Sequence, residues 1–320
     1  MQRRSVLAAA FLIAGFISSA SAQDWPQRPV TLIVPFAAGG NTDGIARMTA
    51  QVLSDSFGKS FVVENRPGAG GAIAADAVAK AQPDGHTLFI AALPVMAIVP
   101  AINKVRFDPL KDFAPISNIA TNPFVIVVNK DLPVKTLAEF VDYVRARNGK
   151  LSYGSAGIGS LNHLSMALFL KQAGLDMTHV PYKGNAPALS DVVAGHIPAM
   201  FSNLSDALPQ AAAGNVKMLA VSSDKRSPVA AQVPTVVESG YPKFNVLTWN
   251  GLMAPAGTPK EIIDKIAQVI AKAVKEPKFA AQLAEYGVDP LGSTPDEYKA
   301  MLARDIAIWA EAVEIAGVKQ

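Results

Sequence analysis

The sequence lacks cysteine altogether and is poor in charged residues. The absence of cysteine excludes disulfide bonds, thiolate zinc sites and cysteine nucleophiles. Only 17% of the 320 residues are charged and 50% are hydrophobic, so the chain has ample material for a core and is not a disordered one. The formal net charge of +3 is too small for the basic surface of a nucleic-acid-binding protein. The length suits two domains or one large domain.

Several enzyme motifs are also missing. A phosphate-binding P-loop needs a glycine where Leu53 stands, five residues before Gly58-Lys59-Ser60. The third glycine of a dinucleotide-binding fingerprint is replaced by Ile73 after one glycine pair and by Asn162 after another. No G-x-S-x-G nucleophile elbow occurs, and the four histidines form no H-x-x-x-H metal-binding pair. The sequence therefore predicts no cofactor and no metal site.

The first residues carry the features of an export signal. Arg3-Arg4 forms a positive region, Val6 to Ile17 an apolar run, and Ala20-Ser21-Ala22 a small-residue cleavage site. We therefore expect a signal peptide over 1–22 and a soluble periplasmic product that begins at Gln23. The apolar run is too short to span a bilayer as a helix. The paired arginines also loosely match a twin-arginine signal, so the export route stays open.

The rest of the sequence alternates between short apolar runs and amphipathic segments, which is typical of an α/β layer with a parallel sheet. The apolar runs predict strands at 29–35, 61–64, 87–91, 124–128, 151–153, 178–181, 199–201, 218–221 and 246–253. Helical spacing predicts helices near 42–57, 72–80, 161–173, 186–194 and 204–213. Capping boxes predict helix starts at 136–139, 258–261 and 294–297. The last helix carries an apolar stripe of Leu302, Ile306, Trp309 and Val313.

One pattern occurs twice: a strand, a glycine-rich loop and a helix start, at 30–45 and again at 151–164. A helix start leaves backbone N–H groups without intrahelical partners and carries a partial positive charge. Such a loop binds an anion without Lys or Arg. The two copies lie far apart in the sequence, so we expect one in each of two lobes. Ordinary βα turns also use glycine, and this alternative stays open.

Side chains beside these loops refine the expected site. The hydroxyls of Thr42, Ser155 and Ser160 can add hydrogen-bond donors. Asp43 lies in the first helical turn, where its carboxylate would repel an anion and would instead suit bridging water or an amine. His163 lies one turn inside the second helix and is expected near the ligand. For the other histidines we expect structural roles: His86, His179 and His196.

Eight further segments carry a pattern of their own, in order along the chain. They are Pro29–Asp43, Val63–Gly71, Pro83–Leu88, Asp108–Pro115, His179–Gly184 with Ala186–Leu189, Ser222–Pro228, Val233–Val236 and Ala254–Pro259. Together they resemble the Bug-type solute receptors, which are the periplasmic binding proteins of tripartite tricarboxylate transporters. The segments extend over nearly the whole mature chain, so the resemblance is specific.

The resemblance implies an α/β fold with the two lobes of a type II periplasmic binding protein, which close on a small ligand, usually a carboxylate. On this basis we expect a first lobe of residues 23–123 and 247–320 and a second lobe of residues 124–246. The resemblance also implies that loop backbone and hydroxyl groups hold the ligand's carboxylates, often through water. The expected partners are a small organic carboxylate and integral-membrane permease subunits, with no nucleic acid. The chain is expected to be a monomer.

The family pattern also implies ligand-binding positions in this sequence. In the first lobe they are Phe36, Ala37, Gly39, Gly40, Thr42 and Asp43. In the second lobe they are Ser155, Ala156, Gly157, Ser160, His163, Tyr182, Ser202 and Asn203. Some family members have an acidic residue before the asparagine that is Asn203 here. This chain has Ser202 at that position, which argues against an amino-acid ligand.

Two alternative functions remain open. The chain could be a ligand-sensing partner of a membrane signalling protein. It could also be a secreted hydrolase that uses Ser155 or Ser160 with His163, because Ser160 and His163 are three residues apart at a helix start and their side chains could meet. The sequence shows no third orienting group and no nucleophile turn. We therefore expect a binding protein and not an enzyme.

Overall fold

The computed structural model describes residues 25–182, 184–285 and 288–318. The predicted signal peptide, its cleavage site and Gln23 lie outside the described residues. Among the helices that these ranges contain, none is long and apolar enough to cross a membrane.

Strands and helices alternate along the described chain. The strands are β1 (Val30–Val34), β2 (Phe61–Asn65), β3 (Thr87–Ala92), β4 (Phe113–Asn129), β5 (Ser152–Ser155), β6 (Thr178–Pro181), β7 (Ala199–Asn203), β8 (Val216–Val221), β9 (Leu247–Pro255) and β10 (Asp289–Pro290). The α-helices are α1 (Asn41–Phe57), α2 (Ala72–Ala79), α3 (Val99–Ile102), α4 (Leu137–Arg145), α5 (Leu161–Ala173), α6 (Asn185–Ala194), α7 (Leu204–Ala212), α8 (Lys260–Ala273), α9 (Pro277–Glu285) and α10 (Pro295–Ile315). A π-helix covers Pro94–Ile98, and 3₁₀ turns cover Ala69–Gly71 and Pro228–Ala230.

The N-terminal strands form the first section of the sheet, in the order β2-β1-β3-β9-β4. β1 is parallel to β2 and β3, and β9 is antiparallel to β3 and β4. The apolar run of β1 is continuous because side chains on both of its faces are buried. Val30 and Leu32 pack with side chains of α1 and α8, whereas Ile33 packs on the opposite face with side chains of α2.

β4 is a strand of 17 residues that joins the first section to a second one. Residues 113–123 pair with β9, and residues 124–129 pair with β7 and β8. From β7 the second section continues to β5 and β6, and these three strands are parallel to one another. The chain therefore passes from one section to the other between Pro123 and Phe124.

The sequence predicted only the second half of β4. The first half contains Pro115 and Pro123, and proline argues against a strand inside a sheet because it donates no ladder hydrogen bond. The pairing with β9 shifts register near Pro115 and again near Asn118, so the irregular ladder accommodates these residues. The π-helix with α3, and α9, were also not predicted.

Two of the three predicted capping boxes form helix starts with a side-chain cap. Thr136 accepts a hydrogen bond from the Glu139 N–H, and Thr294 with Glu297 forms the complete box. At 258–261 the predicted helix start is confirmed but the predicted capping box is wrong, because α8 begins after Pro259 without a side-chain cap. The Thr258 hydroxyl instead donates to the carbonyl of Pro255 at 2.8 Å and closes the preceding turn.

α10 ties the two sections together. Its predicted apolar stripe is confirmed, with Leu302, Trp309 and Val313 buried. The helix packs against the π-helix of the first section and against α5 of the second. Trp249 of β9 donates from Nε1 to Asp305 Oδ2 of α10 at 2.8 Å. One continuous cluster of buried side chains therefore runs through both sections.

Candidate functional site

The carboxyl ends of parallel strands mark the candidate site. β3 and β4 are both antiparallel to β9, so β4 runs parallel to β3 and to its neighbour β1. The strands β1, β2 and β3 end at Val34, Asn65 and Ala92, and these ends lie on the same side of the sheet as Pro123. In open α/β sheets, ligands bind beyond the carboxyl ends of the strands.

The second section presents the same kind of edge to the first. Phe124 pairs with Asn203 at the carboxyl end of β7, and β5 and β6 run parallel to β7. Ser155 and Pro181, which end β5 and β6, therefore lie at this edge as well. Because Pro123 and Phe124 are consecutive, the two edges face each other across this point of β4. Helices α1 and α2 begin at the first edge, and α5, α6 and α7 begin at the second.

The first loop, residues 35–40, joins β1 to α1 and is held from behind by Asp43. The Asp43 carboxylate is 3% exposed, and its Oδ2 accepts hydrogen bonds from the Gly39 N–H and from Arg47 Nε, both at 2.9 Å. Asn65 Nδ2 donates to Oδ1 at 3.0 Å. Burial raises the pKa of Asp43, but these hydrogen bonds outweigh it, and the pKa lies below its usual value. Asp43 is therefore ionised at neutral pH, and its hydrogen bonds hold the first loop in place. We call such a supporting group the brace of its loop.

The turn of the first loop keeps several N–H groups available. Asn65 Nδ2 also donates to the carbonyl of Phe36 at 3.0 Å, which fixes one side of the loop. Within the described residues, nothing accepts a hydrogen bond from the N–H groups of Ala37, Ala38 and Gly40, which are exposed. Gly40 precedes α1 without a side-chain cap, so the N–H groups of Thr42 and Asp43 extend the same donor set.

Thr42 links α1 to a strand that reaches the facing edges. Its Oγ1 accepts a hydrogen bond from Asn250 Nδ2 at 3.1 Å. Asn250 lies on β9, opposite Ala92 on one side and Ala120 on the other. The Thr42 hydroxyl still has a proton to donate, because this hydrogen bond uses it as an acceptor.

The second loop, residues 156–160, joins β5 to α5 and is held by neutral groups. The fully buried Ser155 hydroxyl donates to the Gly157 carbonyl and accepts from the Gly157 N–H, both at 3.0 Å. Ser160 caps α5, because its Oγ accepts from the His163 N–H at 3.3 Å. The same Oγ donates to the Gly157 carbonyl at 2.7 Å. No charged side chain takes part in these hydrogen bonds.

The second loop also offers donors towards the first section. No described residue accepts a hydrogen bond from the N–H groups of Ala156 and Ile158. The Ile158 side chain is 70% exposed. A Cβ built on Gly159 would lie 3.0 Å from Ile102 of α3, so the second loop contacts the first section here.

Three aromatic rings pack behind the second loop. His163 and His179 stack with ring centroids 3.7 Å apart, and Tyr153 stacks on His179 at 5.1 Å. His163 Nδ1 accepts from the Gly159 N–H at 3.1 Å, and His179 Nε2 lies 2.6 Å from Ser155 Oγ. Burial, with a smaller effect of His179, lowers the pKa of His163 to about 4, and burial lowers the pKa of His179. The His163 ring is therefore neutral at pH 7.

The starts of α5, α6 and α7 meet in a polar corner. Asn162 Nδ2 donates to Asn185 Oδ1 and to the carbonyl of Phe201, both at 2.9 Å. Asn185 Nδ2 donates to Ser202 Oγ at 3.2 Å and to Asp206 Oδ2 at 2.6 Å. Neither α6 nor α7 has a side-chain cap. The corner therefore combines amide and carboxylate groups with the N–H groups of two uncapped helices.

The chain is similar to proteins of one family over most of its length. A family model described as the tripartite tricarboxylate transporter family receptor matches residues 45–318. The chain belongs to this receptor family. BugT of Bordetella pertussis is 35% identical over 308 residues, which cover 96% of this receptor and 94% of BugT. The predicted resemblance to Bug-type receptors, which are periplasmic solute-binding proteins, is therefore confirmed.

Two solved structures from R. palustris extend this similarity to the fold. Rpa4515 with adipate is 38% identical, with a TM-score of 0.74 over 92% of this receptor and 99% of that chain. MatC with bound malate is 34% identical, with a TM-score of 0.70 over 90% of this receptor and 99% of that chain. The receptor therefore has the expected α/β, two-lobed, type II periplasmic-binding-protein fold.

The structure brings the predicted site residues of this receptor into two groups at the facing edges. The first group lies in the first loop and the first turn of α1: Phe36, Ala37, Gly39, Gly40, Thr42 and Asp43. The second lies around the second loop: Ser155, Ala156, Gly157, Ser160 and His163. Asp43 and Ser155 are engaged within the protein. Contact with a ligand stays a prediction for every one of the predicted site residues.

The three remaining predicted residues differ in how their side chains are used. The Tyr182 hydroxyl donates to Asp191 Oδ2 at 2.6 Å, which together with partial burial raises the pKa of Tyr182 to about 12. Ser202 is fully buried, and its hydroxyl donates to the carbonyl of Asn203 at 3.2 Å. Asn203 Nδ2 donates to Asp206 Oδ2 at 3.2 Å. All three therefore contribute to the structure of the second section.

Sequence reasoning missed five polar residues at these edges: Asn65, Asn162, Asn185, Asp206 and Asn250. Asn65 lies in a segment of the family pattern, next to the loop it supports. Asp206 stands in the first turn of α7, a position that favours a carboxylate and could have been noticed. Asn250 carries no signal in the sequence, because only the pairing of β9 with β3 and β4 brings it to Thr42.

The hydrolase alternative has no matching side-chain geometry in the described part of this receptor. Ser160 Oγ bonds to the Gly157 carbonyl and to the backbone of His163, and not to its ring. Ser155 does contact His179, yet its hydroxyl is buried and used by Gly157. No described carboxylate bonds to either imidazole. Among the same residues, no group of three or more metal-binding side chains is close enough to hold a metal ion.

Proposed function

We propose that this receptor captures a small organic carboxylate between its two lobes and delivers it to an integral-membrane permease. The first lobe comprises 23–123 and 247–320, and the second comprises 124–246. The chain passes between them at Pro123–Phe124 of β4 and just before β9. The carboxylate groups are held by backbone N–H donors of the first loop and the second loop, with the hydroxyl of Thr42 as a further donor.

The observation that carries this proposal is the pair of facing edges, each with available N–H groups at helix starts. Free N–H groups at or just before a helix start attract anions because they point outwards and the helix dipole adds partial positive charge. Ala38 and Gly40 on one side, and Ala156 and Ile158 on the other, have no described acceptor. Two family members of known structure are described with adipate and with malate, and both ligands are carboxylates.

A ligand that contacts both lobes also favours closure of the lobes around it. A ligand that bonds to both loops binds the closed arrangement more tightly than the open one, and it shifts the equilibrium by that difference in affinity. The two segments that connect the lobes act as the hinge. The closed form is the one that the permease recognises.

A thermal-shift screen of the mature chain tests ligand binding. The panel contains mono-, di- and hydroxycarboxylates of two to eight carbons, with glucose as a neutral control and choline as a cationic control. A ligand at about one hundred times its Kd stabilises the native state by about 2.7 kcal/mol, which raises the melting temperature by several degrees. We expect a carboxylate to give this shift. A shift with glucose or choline and with no acid would refute the proposal.

Delivery to a permease is tested by uptake of the radiolabelled carboxylate in cells. Deletion of the receptor gene should abolish uptake, and the gene supplied on a plasmid should restore it. If uptake is unchanged while a transcriptional response to the same carboxylate disappears, the receptor serves a membrane signalling protein instead.

Intact-mass measurement of the exported protein tests cleavage after Ala22, and light scattering tests the predicted monomer.

A further inference from the structure

We infer that Asp206 makes the polar corner of the second lobe select a carboxylate ligand whose other end carries an N–H or O–H donor. This inference rests on the proposed function and specifies the ligand class of the same site. Asp206 stands in the first turn of α7, at the edge that faces the first lobe, and it is exposed. The ligand end that reaches this corner therefore meets a negative charge.

The contrast with Asp43 shows why the charge of Asp206 matters. Both aspartates lie in the first turn of a helix that starts at the facing edges. Asp43 is buried and paired with Arg47 at 2.9 Å, so its charge is neutralised within the protein. The partners of Asp206 are the neutral amides of Asn185 and Asn203, and no ion pair among the described residues includes it.

A second group in the polar corner, the side-chain oxygen of Asn162, can also accept a hydrogen bond from a ligand. Asn162 is only 5% exposed, and both donor directions of its Nδ2 are used, by Asn185 and by the Phe201 carbonyl. Its Oδ1 is therefore an acceptor, and no described residue donates to it. This oxygen can therefore accept a hydrogen bond from an N–H or O–H group of a ligand that reaches the corner.

The second loop and the polar corner, which both lie at the second lobe's side of the site, thus differ in chemistry. The second loop offers the N–H groups of Ala156 and Ile158, which suit a carboxylate. The corner offers the carboxylate of Asp206 and the Oδ1 of Asn162, which suit an ammonium or hydroxyl group. A second carboxylate in the corner would face Asp206, and like charges brought together in a closed cleft are unfavourable. Ser202, at the end of β7, is not acidic, but Asp206 supplies a carboxylate four residues later, in the first turn of α7.

Length-matched ligands test this directly by isothermal titration calorimetry on the mature chain. Adipate is compared with 6-aminohexanoate and 6-hydroxyhexanoate, and succinate with 4-aminobutanoate and 4-hydroxybutanoate. At the chain length that binds, we expect a donor-terminated acid to bind about tenfold or more tightly than the diacid. Asp206→Asn should abolish this preference, weakening the donor-terminated acid and strengthening the diacid.

Asp296→Asn is the matched control, because Asp296 is also an exposed carboxylate in the first turn of a helix, α10, and its charge acts on Lys260 at the start of α8. The control should keep the wild-type preference. A diacid that binds most tightly would overturn the inference, as would an Asp206→Asn variant that weakens all ligands equally. If no acid of either length binds, the inference fails, whereas the proposed function fails only if no carboxylate of the thermal-shift panel binds.

Discussion

The first loop and the second loop have the same backbone plan but are held in place by opposite chemistry. Behind the first loop, the ionised carboxylate of Asp43 accepts hydrogen bonds from Gly39, Arg47 and Asn65. Behind the second, the neutral ring of His163 accepts one from Gly159. A strand, a glycine-rich turn and a helix start can therefore be braced by a charge or by uncharged rings.

This difference determines how each loop presents its N–H donors to an anion. The first loop has a negative charge behind it, which is tolerable because Arg47 lies 2.9 Å from Asp43. The second loop has no charge behind it while His163 and His179 are neutral. Protonation of the His163 ring at Nδ1 would break the hydrogen bond that it accepts from the Gly159 N–H. We therefore expect the first loop to be destabilised by removal of the Asp43 carboxylate, and the second loop to be destabilised by low pH.

The largest expected effect is on stability, from Asp43→Ala. The substitution leaves the Gly39 N–H and the Asn65 amide without their acceptor, so we expect the free energy of unfolding to fall by about 2–4 kcal/mol. Urea denaturation measures the change. Asp55→Ala is the control on the same helix, because Asp55 is exposed and its one hydrogen-bond partner among the described residues is Gln51. This control should change stability by less than about 0.5 kcal/mol. Equal effects of the two substitutions would show that Asp43 is not the brace.

The next effect is a loss of stability in acid caused by His163. The folded chain keeps this ring neutral down to a pKa of about 4, whereas the unfolded chain protonates it near 6.5. Between these values the unfolded state binds more protons, so the free energy of unfolding falls as the pH falls from 6.5 to 4. The full loss is about 3 kcal/mol or less, and it is absent above pH 6.5.

His163→Asn separates titration from shape in this prediction. The asparagine Oδ1 can accept the Gly159 N–H in place of Nδ1, but it does not titrate. Urea denaturation at several pH values should therefore show a smaller acid loss for the variant than for the wild type. A His163→Asn variant with unchanged pH dependence would assign the acid sensitivity to other groups.

The fold was largely predictable because it depends on local patterns. The apolar run of β1 and the glycines after it predict a strand and a helix start wherever the chain lies in space. The first half of β4 was not predictable in this way. Its prolines argue against a strand, and only pairing with β9 makes it one.

The site was predictable in its backbone but not in its side-chain partners. The glycine loops predict the donors as candidates, because glycine spacing before a helix is a local signal, and their contact with a ligand stays a prediction. The stacking of His163 on His179 joins α5 to β6, and the bond from Asn185 to Asp206 joins α6 to α7. Such contacts follow from the order of strands in the sheet, which a single sequence does not reveal.

A smaller effect is expected from Gly157→Ala in the second loop. Gly157 has a φ of +130°, which side chains other than glycine rarely adopt, and a Cβ would lie 3.3 Å from the Tyr182 carbonyl. We expect a loss of about 1–3 kcal/mol in stability and about tenfold weaker carboxylate binding, because the turn reorients the neighbouring N–H groups. In Gly174→Ala, at the end of α5, a Cβ meets nothing within 4 Å. This control should cost about 1 kcal/mol and leave binding unchanged.

The smallest effect is expected from Arg47→Gln, which tests whether the first loop needs its charge neutralised. Arg47 is 57% exposed, so its ion pair with Asp43 contributes little to stability. Without Arg47, the Asp43 charge acts on an anion at the first loop, and carboxylate binding should weaken about threefold at low salt. The difference should shrink at high salt, where exposed charges are screened. If the wild type and Arg47→Gln bind the carboxylate with equal affinity at low salt, the charge of Asp43 does not affect anion binding at the first loop. The two loops would then bind anions equally well, although only the first is supported by a charged side chain.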